Sequence, residues 1–175
     1  MLTNNFYLGL AAQIVGLDRN YEKMISRSGD KNPFSSSDSI RPFNPVNGII
    51  QANGTSGNYG GMGGLIIGTG DTPPTVNDYD LENQITTGFT STTRMPTNNS
   101  NDKNSIQDSM MYVCSITITN TGVDDLVIKE LGYIRGNSGG KAVQALFDRI
   151  VFDTPVSIAA NETKTLEYHL CMPRP

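Results

Sequence analysis

Asp71, Asp78, Asp80 and Glu82 crowd one short stretch of a 175-residue chain. Carboxylates gathered so closely raise the question of a calcium loop. Such a loop needs acidic or amide oxygens at regular alternate positions and a glycine at the bend. Only fragments of that spacing occur here, and cap and turn roles account for these four acids better. Directly before them, Gly68-Thr69-Gly70 follows the apolar run Leu65-Ile66-Ile67, as a phosphate-binding loop would. A nucleotide site of that kind also needs a third glycine or Gly-Lys-Ser/Thr, and a helix opening behind it. Here Pro73 stands where that helix should begin. Gly139-Gly140-Lys141 fails the same test, because it lies between two strand patterns.

His169 is the only histidine, and it sits in a strand pattern beside Tyr168, facing solvent or a neighbour. With one histidine and no cysteine-histidine proximity, a Ser-His or Cys-His hydrolase is poorly supported. A transition-metal site would need several histidine or cysteine ligands. Paired carboxylates for glycoside hydrolysis can be drawn from any seventeen acids, so their presence decides nothing. The expectation is no catalytic residue, no cofactor and no metal. Cys114 and Cys171 both fall in strand patterns and are expected as buried, unbridged thiols, though two cysteines leave a disulfide open.

The elements that must hold these residues are mostly strands. Cys114, Ile116 and Ile118 alternate with Ser115, Thr117 and Thr119, which makes one face apolar and the other hydroxylated. Asn120-Thr121-Gly122 with Asp124-Asp125 supplies a turn, after which Leu126–Ile134 is expected to pair back as a hairpin. Ala145–Phe152, Val156–Ile158 and Thr165–Cys171 read as further strands, with a turn at Ala160-Asn161-Glu162. Such short, turn-bounded strands point to a mainly β protein, an antiparallel β-sandwich, jelly-roll-like in form. Ahead of them, Leu65–Ile67 is a short buried strand and Pro73-Pro74 an extended segment. Asn77 or Asp78 is placed to cap a helical turn that buries Leu81. Thr86–Thr93 reads as a strand or ribbon, and Met95–Asp108 as an exposed polar connection.

The length suits a single domain over residues 1–175, with a sheet module at 65–175 and an N-terminal region of arm and loops at 1–64. Gly, Asn, Ser and Thr make up nearly two-fifths of the chain, which suits short strands joined by long polar loops. The net charge is −4 with no Lys/Arg run, which argues against a nucleic-acid partner. No stretch approaches the ~18 apolar residues of a membrane span, and no basic region precedes the first apolar run, which argues against a secretory signal.

In the N-terminal region, Asn4 or Asn5 is placed to cap a short helix, with Phe6, Leu10 and Ile14 on one face and Gly16 as a stop. That stripe either docks on the chain's own sheets or packs on a neighbouring subunit, which makes Phe6, Leu10 and Ile14 the candidate subunit contact. Pro33, Pro42 and Pro45 break helices beyond it, Ile40, Phe43, Val46, Ile49 and Ile50 are suited as short edge-strand anchors, and Gly54–Gly64 holds six glycines.

Several of these segments, taken in order, carry a resemblance. They are Leu2-Thr3-Asn4-Asn5-Phe6-Tyr7, then Gly68-Thr69-Gly70-Asp71-Thr72-Pro73-Pro74-Thr75 with Asp78 and Leu81-Glu82, then Ile118–Gly122, Ile128–Tyr133, Leu146–Phe152 and Pro155-Val156, and last a hydrophobic strand with Tyr168. The succession is similar to small virion structural proteins of tailed bacteriophages. The last turn departs from the usual glycine, and Asp18–Asn58 and Met95–Asp108 have no counterpart. The resemblance implies a structural protein of the virion, made in the cytoplasm of a bacterial host. It implies a subunit of capsid decoration, neck or tail, partnered by other virion proteins and by copies of itself as a homo-oligomer, and without enzymatic activity. The alternative is a host-recognition or carbohydrate-binding module of a tail tip or fibre. The absence of Trp and the scatter of the tyrosines weigh against that alternative.

Overall fold

Period-two patterning builds most of the fold. In the computed structural model Cys114, Ile116 and Ile118 are fully buried, Thr117 is exposed, and Ser115 and Thr119 are half-exposed. The structure describes residues 1–8, 24–30, 49–50, 63–94, 109–136 and 144–173. Among them lie seven strands: β1 (Ile49–Ile50), β2 (Gly63–Gly68), β3 (Phe89–Arg94), β4 (Ser109–Asn120), β5 (Leu126–Gly136), β6 (Gln144–Ile158) and β7 (Thr163–Pro173). They form two sheets, ordered β1-β3-β4-β7 and β2-β5-β6, and every pairing is antiparallel. The protein is mainly β with a short N-terminal helix, as the sequence predicts.

Both sheets feed one apolar core. Ile116, Ile118 and Tyr168 come from the first sheet, and Leu65, Ile67, Tyr133 and Phe147 from the second. The rings of Tyr133 and Tyr168 stack across the sheets with centroids 5.3 Å apart. Each large apolar side chain buried here contributes roughly 1.5–3 kcal/mol. The Tyr168 hydroxyl does not go unpaired: it donates to Asp148 at 2.8 Å, and the other oxygen of that carboxylate lies 2.8 Å from the Met1 ammonium.

The expected hairpin between the Cys114 run and Leu126–Ile134 does not form. β4 pairs with β3 and β7, whereas β5 pairs with β2 and β6 in the other sheet. The 121–125 connection therefore crosses between sheets, and buried Asn120 sets the crossing. Its amide donates to the carbonyls of Asp124 and Ile158, both at 2.8 Å, and its oxygen accepts from the Gly122 N–H at 2.9 Å. The physical reason is that β4 and β5 each carry an apolar face. Placed in separate sheets, both strands supply the same core cluster.

Two expected strands, Ala145–Phe152 and Val156–Ile158, form the single β6. Its pairing jumps from Glu130↔Val151 to Ile128↔Val156, so Pro155 falls in an irregularity of an edge strand, where a missing N–H costs no ladder bond. A second shift, between Tyr133↔Asp148 and Ile134↔Leu146, adds one residue on β6. It reverses the facing of the strand. Phe147 and Asp148 both serve the core, while Leu146 and Arg149 point to the other side of the sheet.

Residues 4–8 form the described part of the N-terminal helix. Neither expected asparagine caps it. Asn5 instead clamps the backbone of Ile25, donating to its carbonyl at 2.8 Å and accepting from its N–H at 2.9 Å, and Asn4 bonds Asn77. Phe6 is 2% exposed and packs edge-on against Phe147, so it belongs to the chain's own core. Met24 joins the same cluster. Thr3 N–H donates to the Phe147 carbonyl, and Arg27 N–H to that of Gln144, so both segments run along the free edge of β6. Leu10, Ile14, the 54–62 glycine run, the 95–108 connection, Gly139-Gly140-Lys141 and the side chain of Cys171 lie outside the described residues.

Two outcomes are expected. Thr93 is fully buried, and its hydroxyl has no hydrogen-bond partner among the described residues. Thr93→Val should stabilise the protein by about 1 kcal/mol, and raise Tm by about 2–4 °C in calorimetry. Cys114 is free, and burial pushes its thiol up to about 12 against a weaker opposing pull from Arg135. In a Cys171→Ser variant a thiol reagent should find no reactive group in the native protein and one after denaturation.

Candidate functional site

The acidic stretch and the Gly-Thr-Gly corner form one structure, and its centre is a residue of β5. Glu130 is completely buried on the side of the β2-β5-β6 sheet that faces away from the common core. Residues 69–86 lie over that side. Leu81 is their apolar anchor, packing with Ile66, Ile134 and Leu146 in a second small cluster. It fits because position 132 is glycine: a Cβ there would sit 2.9 Å from both Leu81 and Leu146.

Four donors converge on the Glu130 carboxylate. Oε1 accepts from the backbone N–H of Gly70 at 3.0 Å and of Asn83 at 2.8 Å. Oε2 accepts from the Glu82 N–H at 3.2 Å and from Arg149 Nε at 2.8 Å. That is a full complement for two carboxylate oxygens. The glycines of the corner exist for this approach. A Cβ at Gly68 would fall 2.6 Å from the Asn83 carbonyl oxygen and closer still to Glu130 Oε1, and one at Gly70 would fall 2.7 Å from Glu130 Oε1. The corner does cradle an anion, but the anion is the chain's own carboxylate and not a phosphate.

Arg149, 3% exposed, carries the network outward from Glu130. Its NH1 donates to Asp78 at 2.9 Å and its NH2 to Glu82 at 3.2 Å. The other two acids have cations of their own: Arg27 Nε meets Asp80 at 2.8 Å, and Lys129 Nζ meets Asp71 at 2.8 Å. Arg27 also donates to Gln144 at 2.8 Å and Gln84 at 2.6 Å, so each of its three guanidinium nitrogens has a partner. All four acids of the cluster are thus paired to bases that come from the sheet or from residues 24–30. Among the described residues no group of three or more His, Cys, Asp or Glu side chains is placed to hold a metal ion.

The helical turn expected at Asn77 or Asp78 is a tight turn instead. Asp78 reaches backward, accepting from the Thr75 N–H at 3.1 Å and the Thr75 hydroxyl at 2.7 Å, so it cannot cap residues ahead of it. Glu82 does the same for Thr72, at 3.0 and 2.7 Å. Leu81 is buried as predicted. These bonds also set the charge states. Burial pushes the Asp78 carboxyl up, but the Thr75 bonds and the Arg149 guanidinium outweigh it and hold it below the usual carboxylate range. At Glu82 the Thr72 N–H and hydroxyl lower the carboxyl first, and the Arg149 charge adds to them.

Glu130 and Arg149 lie within two of the resembling segments but are not among the candidate residues read from the sequence. The available signal is an adjacent pair of opposite charges, Lys129-Glu130 and Asp148-Arg149, in each of two otherwise largely apolar strands. His169 lies on the exposed side of β7, with Nε2 2.9 Å from Glu167, and meets no other candidate residue. An open groove of about 550 Å³ runs beside the network, lined by Arg27, Tyr79, Asp80, Asn83, Gln84 and Thr86 among others.

Comparison with known proteins found no match, either to a family model, to a curated protein or to a solved structure.

Arg149→Gln removes one partner of a buried ion pair and should cost roughly 3–5 kcal/mol in urea unfolding. It should also move acid unfolding to higher pH. A carboxyl held low in the folded state adds stability above its unfolded pKa of about 4, and that stability is lost as pH falls through the lowered folded value. Without Arg149, the folded value of Asp78 moves back toward the unfolded one, so the acid midpoint followed by circular dichroism should rise. An unchanged midpoint would mean that Arg149 does not govern Asp78.

Proposed function

We propose that the chain is a structural subunit of a tailed-phage virion, in capsid decoration, neck or tail, and that it is catalytically silent. In this reading its two antiparallel sheets close face to face as a jelly-roll-like β-sandwich. The observation that carries it is the internal use of charge. Glu130, Arg149, Asp78, Asp80 and Glu82, the groups best suited to chemistry, bond one another or local backbone and lock the 69–86 segment to the sheet. Such a network makes a rigid scaffold, and rigidity is what a subunit repeated by symmetry requires. The resemblance of Leu2–Tyr7, Gly68–Thr75 with Asp78 and Leu81-Glu82, Ile118–Gly122, Ile128–Tyr133, Leu146–Phe152 and Pro155-Val156 to phage virion proteins supports the same reading.

A second reading has one observation in its favour. The open groove beside Tyr79, which is 45% exposed, offers an aromatic ring with amide and carboxylate groups around it. That combination suits a sugar, as a host-recognition module would need.

The test is location. Antibody raised against the purified chain should label intact phage particles in electron microscopy, and the chain should appear in gradient-purified particles at a constant copy number. A chain confined to the soluble fraction of infected cells would overturn the structural reading. Binding to a bacterial glycan array that is lost on Tyr79→Ala, together with labelling restricted to the tail tip, would replace it with the second reading.

A further inference from the structure

The two sheets differ in what covers them. The outer side of the β2-β5-β6 sheet lies under residues 69–86, whereas among the described residues no segment lies over the outer side of the β3-β4-β7 sheet. Strand register arranges that side in ranks. Thr90, Thr119 and Thr163 stand side by side across three strands, and Thr92, Thr117 and Thr165 form the next rank. All six are exposed or half-exposed. The third rank reads Arg94, Ser115, Glu167, so a cation and an anion flank a neutral centre, with both charged residues exposed.

We propose that this face docks against the same face of a second copy of the chain, about a two-fold axis lying along β4. The inference deepens the assembly reading above and rests on it only for the expectation that copies meet.

Charge placement selects this occupant. Rotation by 180° about the β4 direction keeps each rank in place and exchanges β3 with β7. Arg94 then faces Glu167 of the second copy, Glu167 faces its Arg94, and Thr117 and Thr119 face their own counterparts. One patch complements itself, with two opposite-charge pairs and no like-charge pair at its ends. No ion pair involves Arg94 among the described residues. Among the described residues Glu167 pairs only with the exposed His169, at 2.9 Å. Long Arg and Glu side chains absorb the roughly 30° crossing usual for facing sheets.

The threonines suit a dry contact. The Thr117 and Thr165 hydroxyls bond each other at 2.9 Å, and those of Thr119 and Thr163 at 2.8 Å. Their hydrogen bonding is partly met within the face, so a partner need not replace every bond to water. With strands about 4.8 Å apart and alternate residues about 6.8 Å apart, three ranks cover roughly 300 Å². A standard stable interface uses about 800 Å² per partner. The contact is therefore weak between two free chains and gains strength where many copies are held in an array.

Sedimentation velocity of the full chain from about 10 µM to 1 mM, the range suited to a contact below standard size, tests the proposal. The wild type should shift from monomer toward dimer as concentration rises. Thr117→Lys sets two ammonium groups against each other on the axis and should weaken dimerisation at least about tenfold, while Thr117→Ser should preserve it. Arg94→Glu and Glu167→Arg should each weaken it, and the double variant, with both pairs restored in reverse, should recover it. Near-ultraviolet circular dichroism confirms that each variant is folded. A wild type that stays monomeric to 1 mM overturns the proposal. So does a dimer indifferent to Thr117→Lys, or a double variant that fails to recover. Particle labelling is read separately, so self-association through another face would sink this contact and leave the assembly reading standing.

Discussion

Everything on the outer side of the second sheet depends on one buried carboxylate. Removing a carboxylate from water costs several kcal/mol unless its oxygens are met by donors. Glu130 meets that cost with three backbone N–H groups from residues 70–83 and one guanidinium nitrogen from β6. The constraint runs both ways. The 69–86 segment has almost no regular structure, and its backbone N–H groups would otherwise lack partners. Glu130 organises the segment, and the segment makes Glu130 tolerable in the sheet.

From that centre the charges fan out in order of exposure. Arg149 is buried beside Glu130, Asp78 and Glu82 stand at the rim, and the Lys129–Asp71 pair lies in solvent. The inner pair matters most to stability, because an exposed ion pair contributes at most about 1 kcal/mol. The same design explains why an acidic cluster and a glycine corner, each suggestive of ligand binding, serve the fold. Their ligands are side chains of the same molecule.

The N-terminal segment is tied in by the same economy of unpaired backbone. β6 is an edge strand, and an uncovered edge invites pairing with other chains. Leu2 bridges to Asp148, and the N–H groups of Thr3 and Arg27 bond β6 carbonyls, so two short pieces of chain cover part of that edge. Phe6 and Met24 then enter the core beside Phe147 and Tyr133. Among the described residues the first sheet has no comparable cover on its outer side. Its hydroxylated ranks remain available, which is what a subunit meeting its own copies would present.

Strand patterning depends on neighbours in the chain, and the sequence alone determined most of it. The alternation of Cys114, Ile116 and Ile118 with Ser115, Thr117 and Thr119 announced a strand with one wet face, because a pleated backbone sends successive side chains to opposite sides. Leu65–Ile67 as a buried strand, the turns near 121–125 and 160–162, and the burial of Leu81 were legible for the same local reason. Tertiary structure alone decided which strands pair. β4 and β5 carry patterns equally good for a hairpin, and only the core cluster that both supply distinguishes their placement in different sheets. It also decided the meaning of Gly68 and Gly70, since an absent Cβ tells nothing until the group that fills its place is known. That group, Glu130, lies some sixty residues along the chain, and no period or motif connects the two. The added residue on β6 that turns Arg149 toward Glu130 was equally hidden, because a bulge changes the facing of a strand without changing its composition.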